Sequence, residues 1–207
     1  MLMKKTKVIG CLIFAVVALG AGVVVAHEVV TSKQEEWLSA AKKTKTGSPK
    51  TVVAIVDGEE ISQESVDACI INEEIIRKNK GEKDPVDEKD VLNDLIRKSV
   101  SFHEAVRLGL EADYETAKAE IEEGYRITME KNDENAALMR KYLQEMEMTE
   151  AEYFEEAGKV RQRSMTRNNL YLRVTEGMEG TEEEKKTAYE KYVDDLVAKA
   201  DIQILTK

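Results

Sequence analysis

Cysteine is almost absent from this chain: Cys11 and Cys69 are the only two, and Cys69 stands alone beyond the apolar N-terminal run. One cysteine cannot close an intrachain disulfide there, so stability is expected to come from a packed core. Histidine is as scarce. His27 and His103 lie far apart, and neither a Cys nor a second His is placed to share a metal with His103. Both prolines, Pro49 and Pro85, fall in loop-like stretches. Glycine forms no phosphate-cradling loop, since Gly177 and Gly180 belong to a connector, and no serine sits in the strand-to-helix elbow of a hydrolase. Positive charge is short as well: 31 Lys and Arg face 41 Asp and Glu, a net −10. Such a chain repels a phosphate backbone, which excludes nucleic-acid binding as its business. Carboxylate pairs such as Glu122-Glu123 and Asp194-Asp195 sit among lysines and read as solvated helix faces. No catalytic centre, metal, cofactor or small-molecule substrate is expected.

What is present begins at the N-terminus. Lys4, Lys5 and Lys7 precede nineteen uncharged residues, Val8 to Ala26. At about 1.5 Å per helical residue that run just crosses a bilayer core of roughly 30 Å. The lysines on its near side keep the N-terminus in the cytoplasm and place the remainder outside. The expectation is a retained signal-anchor over 8–26, with residues 1–7 cytoplasmic. A signal peptide cleaved after Val24-Val25-Ala26 is the alternative, and either leaves the rest of the chain extracytoplasmic. Residues 27–50 read as stalk and linker. Val29, Val30, Trp37 and Leu38 are too irregularly spaced for a core face, and Gly47-Ser48-Pro49 marks the linker.

From Thr51 to Lys207 there are 157 residues, ample for one domain. Val52–Val56 is a β-branched run ended by Asp57-Gly58, hence a strand and a turn. Ser62 offers the N-cap of a helix to about Asn79. Asp87 caps a second helix with the apolar stripe Val91, Leu92, Leu95, Ile96, Phe102, Ala105 and Val106, ended by Gly109. Asp113 caps a third, bearing Ala117, Ile121, Tyr125 and Met129. After Asn132–Asn135 a short helix carries Leu138, Met139, Tyr142 and Leu143. Thr149 and Thr181 head capping boxes for two more. Ile202–Leu205 is the one other run with strand character, so it is expected to pair with Val52–Val56. The expected fold is mainly α, one helical domain over 51–207 closed by a two-stranded sheet from its first and last strands, after one transmembrane helix.

Four blocks carry a family resemblance. Val53-Ala54-Ile55-Val56-Asp57-Gly58-Glu59-Glu60-Ile61-Ser62 resembles the opening of the SurA/PrsA-type extracytoplasmic chaperones. Val91-Leu92-Asn93-Asp94-Leu95-Ile96, followed by His103-Glu104-Ala105 and Leu108-Gly109, resembles their Leu-x-x-Leu-Ile helix leading to Glu-Ala-x-x-Leu-Gly. Met148-Thr149-Glu150-Ala151-Glu152-Tyr153 and the closing Ala200-Asp201-Ile202-Gln203-Ile204 follow in the family's order. The resemblance implies a SurA N-terminal-like domain that binds unfolded segments of exported proteins. Two departures matter. The family often has glycine where this chain has Glu147, and glutamate is penalised in the left-handed region such a helix end needs. Many members also insert a parvulin prolyl isomerase before the last helix. Here that interval is Thr175–Thr181, and the paired histidines of such a centre are missing, so no isomerase is expected.

Six of eight methionines fall between residues 129 and 178. Methionine is flexible and polarizable, which suits surfaces that accept varied apolar ligands. Met129, Met139, Tyr142, Met146, Met148 and Phe154 are therefore the candidate peptide-binding residues; core filling between helices is the competing account. Lys159, Arg161, Arg163, Arg167 and Arg173 share one helix. A solvated face balanced by Glu155 and Glu156 is one reading, contact with anionic headgroups the other. The functional expectation is a membrane-tethered chaperone or holdase without isomerase activity, with an envelope assembly module for one partner as the alternative.

Overall fold

The computed structural model describes Leu38 and residues 51–79, 81–82 and 84–205; the expected anchor and the rest of the expected stalk lie outside the described residues. Among the described residues no helix is long and apolar enough to cross a membrane. The chain runs β1 (Val52–Val56), β2 (Glu59–Ser62), α1 (Gln63–Asn79), α2 (Glu88–Arg107), α3 (Tyr114–Lys131), α4 (Glu134–Glu145), α5 (Glu150–Thr175), α6 (Glu182–Val197) and β3 (Ile202–Ile204).

Asp57 and Gly58 both take positive φ, 48° and 84°, the conformation of a two-residue type I′ hairpin turn. That turn sends the chain straight back as β2, antiparallel to β1 with Val56 opposite Glu59. On its other edge β1 pairs antiparallel with β3, Ala54 opposite Ile204 and Val56 opposite Ile202. The sheet is thus three-stranded, order β2-β1-β3, which corrects the expected two strands. The pairing of first and last strands is as expected. The extra strand, Glu59-Glu60-Ile61-Ser62, holds a single apolar residue and lies at the edge, so hydrophobic patterning does not reveal it. Ser62 ends β2, and its hydroxyl accepts from the Ser65 amide at 3.3 Å to start α1.

Local chemistry explains the helix limits. Asp87 accepts from the Lys89 amide at 2.7 Å and Asp113 from that of Thr116 at 2.7 Å, while Thr149 with Glu152 and Thr181 with Glu184 close reciprocal capping boxes. At the end of α2, Gly109 (φ 72°) donates to the Val106 carbonyl and Leu110 to that of Ala105, a Schellman motif. The same motif ends α4 on a glutamate. Glu147 sits at φ 44° and donates to the Gln144 carbonyl, and Met148 donates to that of Leu143. The departure from glycine therefore leaves the turn intact, at a local cost of about 1 kcal/mol. Glu147→Gly should recover that amount and raise Tm by about 2–4 °C, checked by thermal melts of both chains.

Two apolar cores result. One lies between the sheet, α1 and α2, with Ala54, Val56, Val66 and Ile96 fully enclosed and Leu196, Val197 and Ile202 packed against it. The other lies between α1, α3, α4 and α5, built on Tyr142, Tyr153, Met139 and Ile121. α5 packs along both α3 and α2. At Gly158 a Cβ would stand 3.2 Å from Lys118 Cβ and 3.3 Å from the Tyr114 ring, so glycine is what lets α3 and α5 approach. On α2 the expected stripe is buried at Val91, Leu92, Ile96 and Ala105, but Val106 points outward.

Two expectations need correction. Leu38, read as part of the stalk, is 4% exposed and belongs to the second core. Cys69 is disulfide-bonded and is not the lone thiol the count of cysteines suggested.

Candidate functional site

α4 is delimited by short-range signals at both ends. Asp133 caps it by accepting from the Asn135 and Ala136 amides at 2.9 and 3.2 Å. Its Schellman end leads within two residues into the Thr149 capping box of α5. The side chains that α3, α4 and α5 bring together here are aromatic and methionine-rich. Tyr142 and Tyr153 meet with ring centroids 6.2 Å apart at 74°, and Tyr125 meets Phe154 at 5.2 Å and 79°. These edge-on contacts are the favoured geometry for such pairs.

All six candidate residues fall in this one cluster. They do not play the same part. Met139, Tyr142 and Met146 are 1, 2 and 5% exposed and form a floor. Met129, Met148 and Phe154 are half-buried against it and form a rim that reaches solvent. Met178 lies elsewhere and is exposed, and Tyr171 faces Tyr189 of α6 at 5.3 Å. The floor was legible as a core stripe, because 138, 139, 142 and 146 follow helical spacing. Leu38 carried no such signal.

The polar atoms in the cluster are few. Tyr125 donates to Glu150 at 2.6 Å, and burial with that bond pushes its phenol up to about 12. Burial and the nearby Glu156 charge bring the Tyr142 phenol to about 12 as well. Burial raises Tyr153 too, and its hydroxyl has no hydrogen-bond partner among the described residues. Phenols held this way stay neutral near pH 7 and serve neither as base nor as nucleophile. What the cluster offers is adaptable apolar contact.

A second group joins the sheet to the helices. Glu59 accepts from Ser99 Oγ at 2.5 Å, pairs with Arg163 at 2.8 Å and lies 3.3 Å from His103 Nε2. The Arg163 guanidinium stands 3.9 Å over the Phe102 ring. Burial alone would raise the Glu59 carboxyl; the Ser99 hydroxyl, Arg163 and His103 outweigh it and hold the group below its ordinary 4.5. A carboxyl depressed in the folded state stabilises above its unfolded pKa, and that gain is lost as pH falls through the folded value. Glu59→Gln should therefore cost about 1–2 kcal/mol at pH 7 and much less at pH 3, read from urea midpoints at the two pH values. The sequence did not reveal this group, because Glu59 and Arg163 lie 104 positions apart.

The remaining basic residues of α5 are mostly committed to carboxylates. Arg161 pairs with Glu120 at 2.6 Å, Lys159 with Glu156 at 3.2 Å and Arg173 with Glu176 at 2.6 Å. Glu155, expected to balance them, instead holds Lys118 at 2.6 Å. α5 and α6 are joined directly, Thr175 to Glu182, with no room for an inserted domain.

The described domain is thus mainly helical, with a small terminal sheet and one apolar, Met- and aromatic-rich cluster. The chain matches the SurA-like N-terminal domain family over residues 3–170 and belongs to it. Domains of this family are non-catalytic and bind client polypeptides in general. No similar curated protein and no similar solved structure was found.

Proposed function

We propose that this protein is a membrane-tethered extracytoplasmic holdase that shelters unfolded segments of exported proteins and has no prolyl isomerase activity. The observation that carries the reading is the rim of Met129, Met148 and Phe154 over the floor of Met139, Tyr142 and Met146. Side chains of this kind adapt to many apolar sequences at little geometric cost. The tether rests on the nineteen uncharged residues after three lysines, and the lack of isomerase activity on the direct α5–α6 connection. The alternative, an assembly module for one envelope partner, draws support from the same floor, since enclosed residues leave a narrow accepting surface.

Photo-crosslinking from position 148 in cells tests the choice. A broad distribution of crosslinked proteins supports the holdase, and one discrete product supports the assembly module. In the same cells the protein should stay with membranes through an alkaline carbonate wash. A mature N-terminus at His27 would remove the tether from the proposal. The full chain in detergent should slow aggregation of an unrelated unfolded protein and leave the cis/trans rate of a prolyl peptide unchanged.

A further inference from the structure

Among the cations of α5, Arg167 differs from its neighbours. Lys159, Arg161, Arg163 and Arg173 each have a carboxylate oxygen within 3.2 Å. Arg167 has no hydrogen bond or ion pair with any described residue. It is half-buried, on the face of α5 where Thr166 and Leu170 are fully enclosed. α2, α5 and α6 all pack on one another, and Asp94 of α2 and Tyr189 of α6 lie near enough to act on its charge. The carboxylates nearest in effect are already engaged. Asp94 holds Lys98 at 2.5 Å, and Glu59 holds Arg163.

A guanidinium stays charged at any physiological pH, so withdrawing it from water without an acceptor is unfavourable. Arg163, one turn earlier, adds a like charge, and both effects push the Arg167 guanidinium down from its ordinary value. Aromatic pairs bound the spot. Phe102 lies under Arg163, and Tyr171 faces Tyr189 on the following turn. Its nitrogens are not among the enclosed unpartnered atoms, which include His103 Nδ1 and Tyr153 Oη, so they keep some exposed surface.

The geometry points to a carboxylate-binding site at Arg167, in the angle between α2, α5 and α6, that takes a free carboxylate of a bound polypeptide. The planar fork of an arginine matches a carboxylate through two parallel bonds. An anionic membrane is the poorer match. Surface attraction needs several uncommitted basic side chains, and the others on this helix are paired. The site lies apart from the Met–aromatic cluster. It rests on the reading of the protein as a polypeptide binder, and it adds a selectivity for the charge at one end of the ligand.

The probe is an N-acetylated Leu/Phe hexapeptide, prepared with a free α-carboxylate and as the C-terminal amide. Binding to the full chain in neutral detergent is followed by calorimetry. The acid form should bind at least tenfold tighter than the amide, and Arg167→Met should erase that difference while leaving amide binding unchanged. The same substitution should leave Tm unchanged or raise it, because it removes an unpaired charge. Arg167→Lys should retain part of the preference. Equal binding of the two peptides to the unaltered chain would overturn the site while leaving the polypeptide-binding reading standing. Failure of both peptides to bind would overturn both. An acid preference that survives Arg167→Met would overturn the assignment to Arg167. Retention of this chain, but not the Arg167→Met variant, on phosphatidylglycerol vesicles without any acid preference would replace the carboxylate by a membrane surface.

Discussion

Removing residues 201–207 should lower Tm by about 6–12 °C or more. Three hydrogen bonds and one apolar contact disappear together. The Asp57 amide loses the Asp201 carbonyl at 2.9 Å, and the Val53 carbonyl loses the Leu205 amide at 2.8 Å. The Asp201 amide no longer reaches the Asp57 side chain at 3.0 Å, which sits at a strained positive φ in the hairpin turn. Ile202, packed on the sheet core, is deleted as well. Hydrogen bonds at about 1 kcal/mol each and the lost apolar contact give about 3 kcal/mol or more. At roughly 2–4 °C per kcal/mol for a chain of this size the shift follows. The check is calorimetry on the full and shortened chains. An unchanged Tm would mean that β1 is held by β2 and the helices alone.

Changing Met139, Met146 and Met148 together to serine should unfold the helical core. Met139 and Met146 are almost wholly enclosed, and each large-to-small change at such a site costs about 2–5 kcal/mol. Serine adds a hydroxyl that needs a partner in apolar surroundings. The sum rivals the roughly 5–15 kcal/mol that holds a typical domain together. Far-UV circular dichroism and a urea titration read the result, and a cooperative, native-like transition would contradict the packing of α4. The binding surface is better tested at the rim. Met129, Met148 and Phe154 changed to serine should leave a folded domain with weakened anti-aggregation activity. A folded rim variant with full activity would place client binding elsewhere.

The helix limits were legible because their causes are local. Thr149 and Glu152, like Thr181 and Glu184, lie three residues apart and meet by helix geometry alone. The β1–β3 pairing followed from counting unpaired backbone, since only two β-branched runs were available. β2 escaped notice because an edge strand of polar residues carries no burial pattern, although the Asp57-Gly58 turn implied a return strand. The six candidate residues lie in one apolar cluster, but which are floor and which are rim depends on how α3 and α5 cross. That crossing is set by Gly158 against Lys118 and Tyr114, a contact between distant parts of the chain. Leu38, Glu59 with Arg163, and the isolation of Arg167 share that origin: each depends on partners, or on their lack, far away in sequence.

The pairing of β1 with β3 also dictates when folding can finish. Asp57 and Asp201 are bonded across 144 positions, so the sheet closes a very long loop, at an entropic cost that grows with the logarithm of its length. Contacts this distant slow the search for the native state. During synthesis, β1 emerges before its partner β3 and has only β2 beside it, with one strand edge open until Ile202–Ile204 arrives. The helices can form turn by turn as the chain appears, but the last step waits for Ile202–Ile204. A ribosome that stalls before that point would hold a chain with helices in place and β1 still accessible to a passing strand.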